Sequence, residues 1–466
     1  MNQKAQSSPA VDADYMLAPV PPDARRPTWK QVMVWVGFGY VATGLFIGGT
    51  LAGPAGGAGV SFPMAMLAIA IGMGILFVLT SLLGVIAQRT GLSLALLCRY
   101  AYGAKGMNLP MLAMGLLTLG WFSAITGMVG DIWGAFIGNP SGIVVFDPGR
   151  LGYQIAPITL EVFAACLLCG LLFTATSMSG MKGLERLAVP VAPVIMLIAV
   201  LVGIGMLDEG GGLGSFIAAS SQKHGLPLSS AVTMLVGSWI AGAIMGVDLF
   251  RFCRNARAVW LGSAACFLLT NPLLNIVGYI GTVTVGEYNY VSWMLEKSFL
   301  LALAGAVTWT LSLWTTNDAE LYCNALYTGP VLQSCGFDVS KKQLVLVAGL
   351  AGTVLGALGF YQMFFSPFIN YLGIMAPPLA GPLLADFYIK HKGRYDVREL
   401  DQQPEYNRAG VGSALIGMVL GLALELNQWL VAWPNGLVAL LATVLLYLLL
   451  HPILSAKPRP LAEKAS

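Results

Sequence analysis

Charge is scarce in this sequence: Lys, Arg, Asp and Glu together make up 10% of its 466 residues, against about 25% in soluble domains. So few charged groups cannot cover the surface of a water-soluble fold of this length, which excludes an ordinary soluble enzyme, a disordered chain and a disulfide scaffold. Histidine is scarcer still, limited to His224, His391 and His451. Two fall in expected loops and one at the end of the last apolar run, so no His-plus-acid cluster or Ser–His pair sits inside a span, which argues against an intramembrane enzyme. No GxxxxGKS/T phosphate loop occurs, and no stretch is left for a nucleotide-binding or signalling domain, so an ATP-driven pump and a receptor are both disfavoured. The net charge of +3 is too small to point to nucleic acid. Of the seven cysteines, only Cys166 and Cys169 form a CxxC, inside AACLLCGLL with no second pair, and they read as small apolar helix residues. No cleavable signal opens the chain: the first 30 residues are polar and Pro-rich, and Arg25, Arg26 and Lys30 precede the first apolar run as in a retained signal anchor.

What is abundant is apolar sequence: 57% of residues are hydrophobic and mean hydropathy is +0.75. A span needs roughly 20 apolar residues. On that rule about twelve runs emerge, near 32–52, 63–88, 108–138, 155–177, 187–207, 228–250, 258–286, 298–328, 342–360, 367–390, 409–430 and 432–455. The third and eighth are too long to cross upright, so tilt or extension past the bilayer is expected. Of the 25 Lys and Arg, all but Arg150, Lys223 and Lys297 fall on one side of this alternation. The positive-inside rule then places both termini in the cytoplasm, with the protein in the cytoplasmic (inner) membrane. The expected layout is a tail at 1–31, a ten-helix core at 32–390 with halves 32–207 and 228–390, a polar loop at 391–408, a last helix pair at 409–455 and a tail at 456–466.

Glycine is concentrated in two runs five apart. The first holds Gly37, Gly39, Gly44, Gly48 and Gly49, and the sixth holds Gly237, Gly242 and Gly246. Glycine weakens a helix by about 1 kcal/mol per position relative to Ala, and paired interrupted helices mark inverted-repeat transporters. The competing reading is close packing through small residues. The eighth run carries TWTLSLWTTNDAELY, in which Ser312, Thr315 and Thr316 share one helix face. Three hydroxyls on one face could give a small hard cation its oxygens, if broken-helix carbonyls complete the shell; bonding back to their own helix is the alternative. Asn317, Asp318 and Glu320 follow directly, and intramembrane acids are by default functional. Asp131 is open to a proton or gating role, whereas Asp248 and Asp386 read as structural partners of nearby bases. Trp121 and Trp239 lie mid-run, where two indoles could sandwich a flat heterocycle, with backbone groups at Gly237 and Ser238 reading its edge.

The chain resembles the cytosine permeases of the nucleobase:cation symporter family along most of its length. The resemblance rests on GGTLAG at 48–53, TGLSLALLCRYAYGAKG at 90–106, GWF at 120–122, GSWIAG at 237–242, DLFRFCRNARA at 248–258, LWTTNDAELY at 313–322 and APPLAGPLLADFY at 376–388. It implies an all-α membrane protein of the leucine-transporter type, with a five-plus-five inverted repeat and two further helices. It also implies import of a nucleobase or related heterocycle by cation symport, sodium being the expected coupling ion, with no cofactor and no obligate protein partner. Carried over, the cation site falls on carbonyls near Val41 and Gly44 and side chains of Ser312, Thr315 and Thr316. The substrate site falls on Trp121 and Trp239, with Thr118, Gly237, Ser238 and Asn317 around it. The sequence departs from that family at Thr118, Ser312, Trp239 and Ala241, where cytosine permeases carry Gln, Asn, Phe and Ser. Two amides suited to a base edge are thereby lost. A purine, a hydroxymethylpyrimidine, another planar ring, or an amino acid or amine remains open as substrate, as does proton coupling.

Overall fold

The computed structural model describes residues 15–53, 57–153, 155–427, 429–430 and 433–454. Of the expected polar tails, residues 1–14 and 456–466 lie outside the described residues. The chain is helical almost throughout. Helices α1 (Thr28–Gly39) and α2 (Ala42–Ala52) form one span bent by 52°. Then come α3 (Phe62–Thr90), the short α4 (Leu94–Tyr102) and α5 (Asn108–Ile137). A small antiparallel pair, β1 (Val144–Phe146) and β2 (Ile158–Thr159), leads into α6 (Leu160–Ser177) and α7 (Met181–Glu209). The short α8 (Gly212–Ser221) precedes α9 (Leu228–Phe250). The next span is α10 (Ala256–Ala264), a π-helical turn at Ala265–Thr270, and α11 (Asn271–Thr284). The short α12 (Tyr290–Leu295) is followed by α13 (Phe299–Ser334) and α14 (Lys341–Ala357). Last come α15 (Phe360–Met375), α16 (Pro377–Leu384) with a π turn at Ala385–Lys390, α17 (Arg408–Asn427) and α18 (Asn435–Leu454).

Among the described residues, ten helices are long and apolar enough to cross a membrane, or eleven with the bent α1–α2 pair counted as one span. The remaining run expected from the sequence is α14, whose 17 residues sit at the short limit of a span of about 17–25. The long third and eighth runs become α5 and α13, of 30 and 36 residues. At 1.5 Å per residue, α13 reaches roughly 54 Å, well beyond the ~30 Å hydrocarbon layer. In the core, α3 lies along α9, α5 along α13 and α2 along α11, while α17 and α18 pair with each other against α15 and α16.

The two glycine-rich runs behave differently. The first span breaks after Gly39: Tyr40 and Val41 leave helical geometry, Val41 being fully extended at φ −134° and ψ 148°. A broken helix strands its last carbonyls, which lipid cannot satisfy. Here the Asn271 amide donates to Gly39 O at 3.0 Å. Asn271 reaches that point through the preceding π turn, which widens the helix ahead of Pro272, a residue with no N–H to give. Beyond the break, Gly44 lets α2 press on α11; a Cβ there would lie 2.8 Å from Leu274 Cβ. The sixth run, in contrast, is the uninterrupted helix α9, so the break expected around Gly237 and Trp239 is absent. Its glycines serve close packing instead: a Cβ on Gly373 would stand 2.8 Å from Gly237 Cα, and one on Gly246 2.9 Å from Trp35.

The Lys- and Arg-rich ends of the helices lie together, and the described part of the N-terminal tail is folded across them rather than free. Val20 N–H donates to Gly91 O, Ser93 Oγ to Met16 O, Arg26 N–H to Phe252 O and Arg251 Nη1 to Tyr15 O. Arg26 and Lys30 both pair with Glu185, at 2.9 and 3.4 Å. At the same end Asp386, completely buried, accepts from Tyr395 Oη at 2.6 Å and Tyr447 Oη at 2.5 Å, and pairs with Lys390 and His391. Asp386 thereby has the structural role expected of it. Asp248 is structural too: it is fully buried and accepts from Leu94 N–H at 3.1 Å.

Two predictions follow from these contacts. Asn271→Ala should lower stability by about 1–3 kcal/mol, the cost of a stranded buried carbonyl, measured as thermal unfolding in detergent. His391 is held above the ordinary imidazole range by its hydrogen bond to Asp386. Its contribution to anchoring the 391–407 loop should be complete below pH ~6.5, the unfolded value, and should fade as pH rises through the raised folded value. Hydrogen exchange of that loop from pH 6 to 9 checks this, and His391→Gln should flatten the dependence.

Candidate functional site

Helix α13 distributes its polar side chains to three neighbouring helices and a cavity. Thr315 Oγ1 lies 2.8 Å from Gly37 O and Thr316 Oγ1 3.3 Å from Phe38 O, so both hydroxyls meet the frayed end of α1. Thr315 Oγ1 is also 2.6 Å from Ser312 O, and Ser312 Oγ donates to Trp309 O. Asn317 turns to α5, donating to Phe122 O at 3.3 Å and Thr126 Oγ1 at 3.1 Å. Asn324, two turns on, does the same to Gly115 O and Thr118 Oγ1. Asp318 turns to α6, where it accepts from Thr176 Oγ1 at 2.7 Å and Ser177 Oγ at 3.1 Å. Thr316 and Glu320, four apart and so on one face, look into a small cavity.

That cavity sits midway along α5, α9 and α13. Its lining is Val41, Thr43, Trp121, Ser238, Trp239, Gly242, Thr316 and Glu320, and its volume is about 20 Å³. That is room for about one water molecule, not for a ring. Trp239 is fixed by edge-on contacts with Phe38 and Phe267, at centroid distances of 5.2 and 5.7 Å. It lies against its own helix because Gly242 has no side chain; a Cβ there would come 2.7 Å from the indole. Trp121 is held by Phe368 at 5.9 Å. Ser238 Oγ donates to Leu235 O within the helix, leaving its lone pairs facing the cavity side.

Thr43 also lines a second, larger space, a vestibule of about 740 Å³ open at the end remote from the basic cluster. Phe46, Met128, Asp131, Tyr288, Trp309 and Tyr361 are among its walls. Asp131 ties α5 to α15 there, accepting from Tyr361 Oη and from Gln362 Nε2 at 2.8 Å. The vestibule and the cavity are thus neighbours sharing the residue that follows the helix break.

Of the residues carried over from the family, the structure brings Trp121, Trp239, Ser238, Thr316 and Val41 to one cavity. Thr315 and Ser312 stand beside it at the α1 end. Thr118 and Asn317 are buried against other helices, with Thr118 Oγ1 donating to Met114 O at 2.9 Å. Gly237 lies inside the continuous α9, its main chain engaged in the helix. Gly44 faces Leu274 and Asn271, and its N–H is bonded to Val41 O at 3.1 Å. The main-chain carbonyls met by the α13 hydroxyls are those of Gly37 and Phe38, one turn earlier than expected. Sequence reasoning passed over Thr43, weighed Gly242 only as part of a glycine-rich run, and took Glu320 as functional only because it is an acid within a span. The i, i+4 relation of Thr316 and Glu320 was the available signal. Among the described residues no group of three His, Cys, Asp or Glu is arranged to hold a metal.

Comparison with known proteins agrees with this architecture. Residues 19–447 match a family model described as permease for cytosine/purines, uracil, thiamine, allantoin. The cytosine permease of Escherichia coli (strain K12) is 30% identical over 451 residues, covering 96% of each chain. The hydantoin permease of Microbacterium maritypicum is 25% identical, over 72% of this chain and 68% of that one. Among solved structures, a nucleobase-cation-symport-1 family transporter in a closed conformation with bromovinylhydantoin bound superposes with a TM-score of 0.74, at 20% identity over 92% of this chain and 93% of that one. A Na+-coupled sialic acid symporter in a substrate-bound outward-open state gives 0.66, at 12% identity over 98% and 95%. The shared fold, the apolar helices and the full-length match show a multi-pass membrane transporter rather than an enzyme, and the chain belongs to the family of permeases for cytosine/purines, uracil, thiamine and allantoin.

Proposed function

We propose that this permease imports a nucleobase or a related planar heterocycle by sodium symport. The observation that carries the reading is the junction of two features: a cavity walled by Trp121 and Trp239, and hydroxyls of Thr315 and Thr316 lying on the frayed carbonyls of Gly37 and Phe38. A neutral ring gains stacking energy between indoles, about 0.5–1.5 kcal/mol for each contact beyond burial. The hydroxyl and carbonyl oxygens form a neutral donor set suited to a small hard cation. In the cation's absence each hydroxyl donates to a carbonyl. On binding, the hydroxyl proton turns away and both oxygens face the ion. Ser312 adds a third side-chain oxygen on the same face, and Val41, at the break, is the candidate fourth contact on the α1 side.

Positive charge at one end, by the positive-inside rule, puts that end and both termini in the cytoplasm of an inner-membrane protein. The vestibule then faces outward. Twelve crossings fit this alternation, as ten core helices in two inverted halves (32–207 and 228–390) followed by α17 and α18. The cavity is closed around its centre, so a ring enters from the vestibule only as the walls near Thr43 part. Cation binding holds α1 against α13 and shapes the Trp239 wall through Phe38, so ion and ring each tighten the other's binding.

Uptake of labelled cytosine, purines and hydroxymethylpyrimidine into proteoliposomes, with and without an inward sodium gradient, tests the reading. Thr316→Ala should raise the sodium concentration for half-maximal uptake at least about tenfold, the size of a typical coupling loss. It should also remove most of the sodium-induced gain in substrate affinity. A mutant whose substrate affinity keeps its full sodium dependence sinks the cation assignment, and uptake driven only by a proton gradient replaces sodium with protons.

A further inference from the structure

The cavity contains one group that neither the cation nor indole stacking uses. Glu320 lines it directly opposite the hydrophobic logic of its surroundings: its residue is 5% exposed, and its Oε2 has no hydrogen-bond partner. Among the described residues no Lys, Arg or His forms an ion pair with it. The other buried acids are engaged differently: Asp386 has two tyrosines and two bases, while Asp318 and Asp248 each take donors on Oδ1 (two hydroxyls and a backbone N–H) and leave Oδ2 unpartnered; neither of these two lines the cavity, as Glu320 does. A buried acid without donors is costly to ionise, so it becomes a carboxylate only when a ligand supplies the donors, and an acid in a membrane span is by default functional. This one shares its helix face with Thr316 and its cavity with both tryptophans.

We infer that Glu320 reads the edge of the substrate, selecting planar heterocycles that present two adjacent N–H donors. The inference rests on the proposed heterocycle transport and names the substrate class for it. A carboxylate offers two acceptor oxygens side by side and no donor, and it binds most strongly when two parallel N–H groups meet it. The edge that guanine and isocytosine share supplies such a pair, a ring N–H next to the 2-amino group. Xanthine or uracil instead sets a carbonyl beside its ring N–H, so one carboxylate oxygen faces another oxygen. Hypoxanthine has the ring N–H and nothing beside it. Neutral cytosine pairs an amino group with a bare ring nitrogen and loses half the contact. A site built on a buried acceptor pair discriminates against rings that leave it unpaired far more than a greasy pocket discriminates by size.

Dissociation constants for guanine, hypoxanthine and xanthine, and for isocytosine and uracil, measured on the full-length protein in lipid nanodiscs with sodium, decide the matter. Within each ring system size is nearly constant and only the edge changes. The expected result is guanine over xanthine, or isocytosine over uracil, by at least about thirtyfold in whichever ring system binds. Glu320→Gln presents one acceptor and one donor, so it should erase that preference and raise affinity for uracil and cytosine. Equal binding of donor–donor and donor–acceptor rings to the unaltered protein overturns the inference while leaving heterocycle transport standing. So does a Glu320→Gln protein that keeps the original ratio. Failure of every ring to bind overturns the proposed function and this inference together. Should Glu320→Gln fail to fold, the ratios on the unaltered protein decide alone.

Discussion

The frayed end of α1 is the constraint on which the rest of the arrangement depends. Inside a bilayer every carbonyl must find a donor within the protein. Ending a helix after Gly39, in the middle of the bundle, therefore commits several other elements to fixed positions. Asn271 must come within reach of Gly39 O, which places the π turn and Pro272 in the seventh span. Thr315 and Thr316 must approach Gly37 and Phe38, which fixes the rotation of α13 about its own axis. Once α13 is set, Asn317 and Asn324 necessarily meet α5, and Asp318 necessarily meets α6. The tight glycine contacts of α2 with α11 hold the second half of the broken span in place. A break that began as a liability thus specifies the register of three neighbouring helices.

The all-helical membrane character and the broken first span were legible in the sequence because they rest on local composition: apolar run length, and glycine ahead of an extended Tyr40–Val41. The sixth span was not legible, although its glycine pattern is much the same. Gly237 and Gly246 let Gly373 and Trp35 approach the α9 backbone while Gly242 makes room for the helix's own Trp239, and a helix with neighbours pressed into it has no reason to unwind. Glycine reports small size in both runs; only tertiary contacts decide whether the backbone also breaks. The same limit governs the site. A run such as WTTNDAELY names its polar residues but not which neighbour each helical face meets. Asn317 and Thr118 turn to packing partners, while Thr316 and Glu320 turn to the cavity.

On the proposed route, the cavity and the vestibule divide the path unequally. The vestibule has space for several waters and a ring, whereas the cavity holds about one water. Thr43 belongs to both, directly after the break, so movement of α2 relative to α1 is the smallest displacement that would join them. At the other end the path is thickly closed. Residues 15–26 lie over the ends of α3, α9 and α13, and Arg251, fully buried, is pinned by Tyr15 O and Tyr322 Oη. Opening there requires breaking main-chain bonds to Gly91 and Phe252 as well as the Glu185 pairs with Arg26 and Lys30. The two ends therefore differ in what must be undone: packing on one side, a woven layer of hydrogen bonds and ion pairs on the other.

This asymmetry bears on why the two proposed ligands have such different partners. The proposed cation site is made of neutral oxygens already engaged in hydrogen bonds, so it loses little when empty and can fill and empty without stranding a charge. Glu320 is the reverse, an acid whose Oε2 has no partner until something with donors arrives. A path in which both ligands must be present before the walls close would use these two kinds of site together. The neutral oxygens make ion occupancy reversible at modest cost, and the unsatisfied carboxylate makes closure around the wrong ring unfavourable. In the proposed scheme, selectivity then comes from the penalty of leaving the buried Glu320 acid unpaired in a cavity of one water's volume, rather than from the shape of the indole walls, which would accept any flat ring.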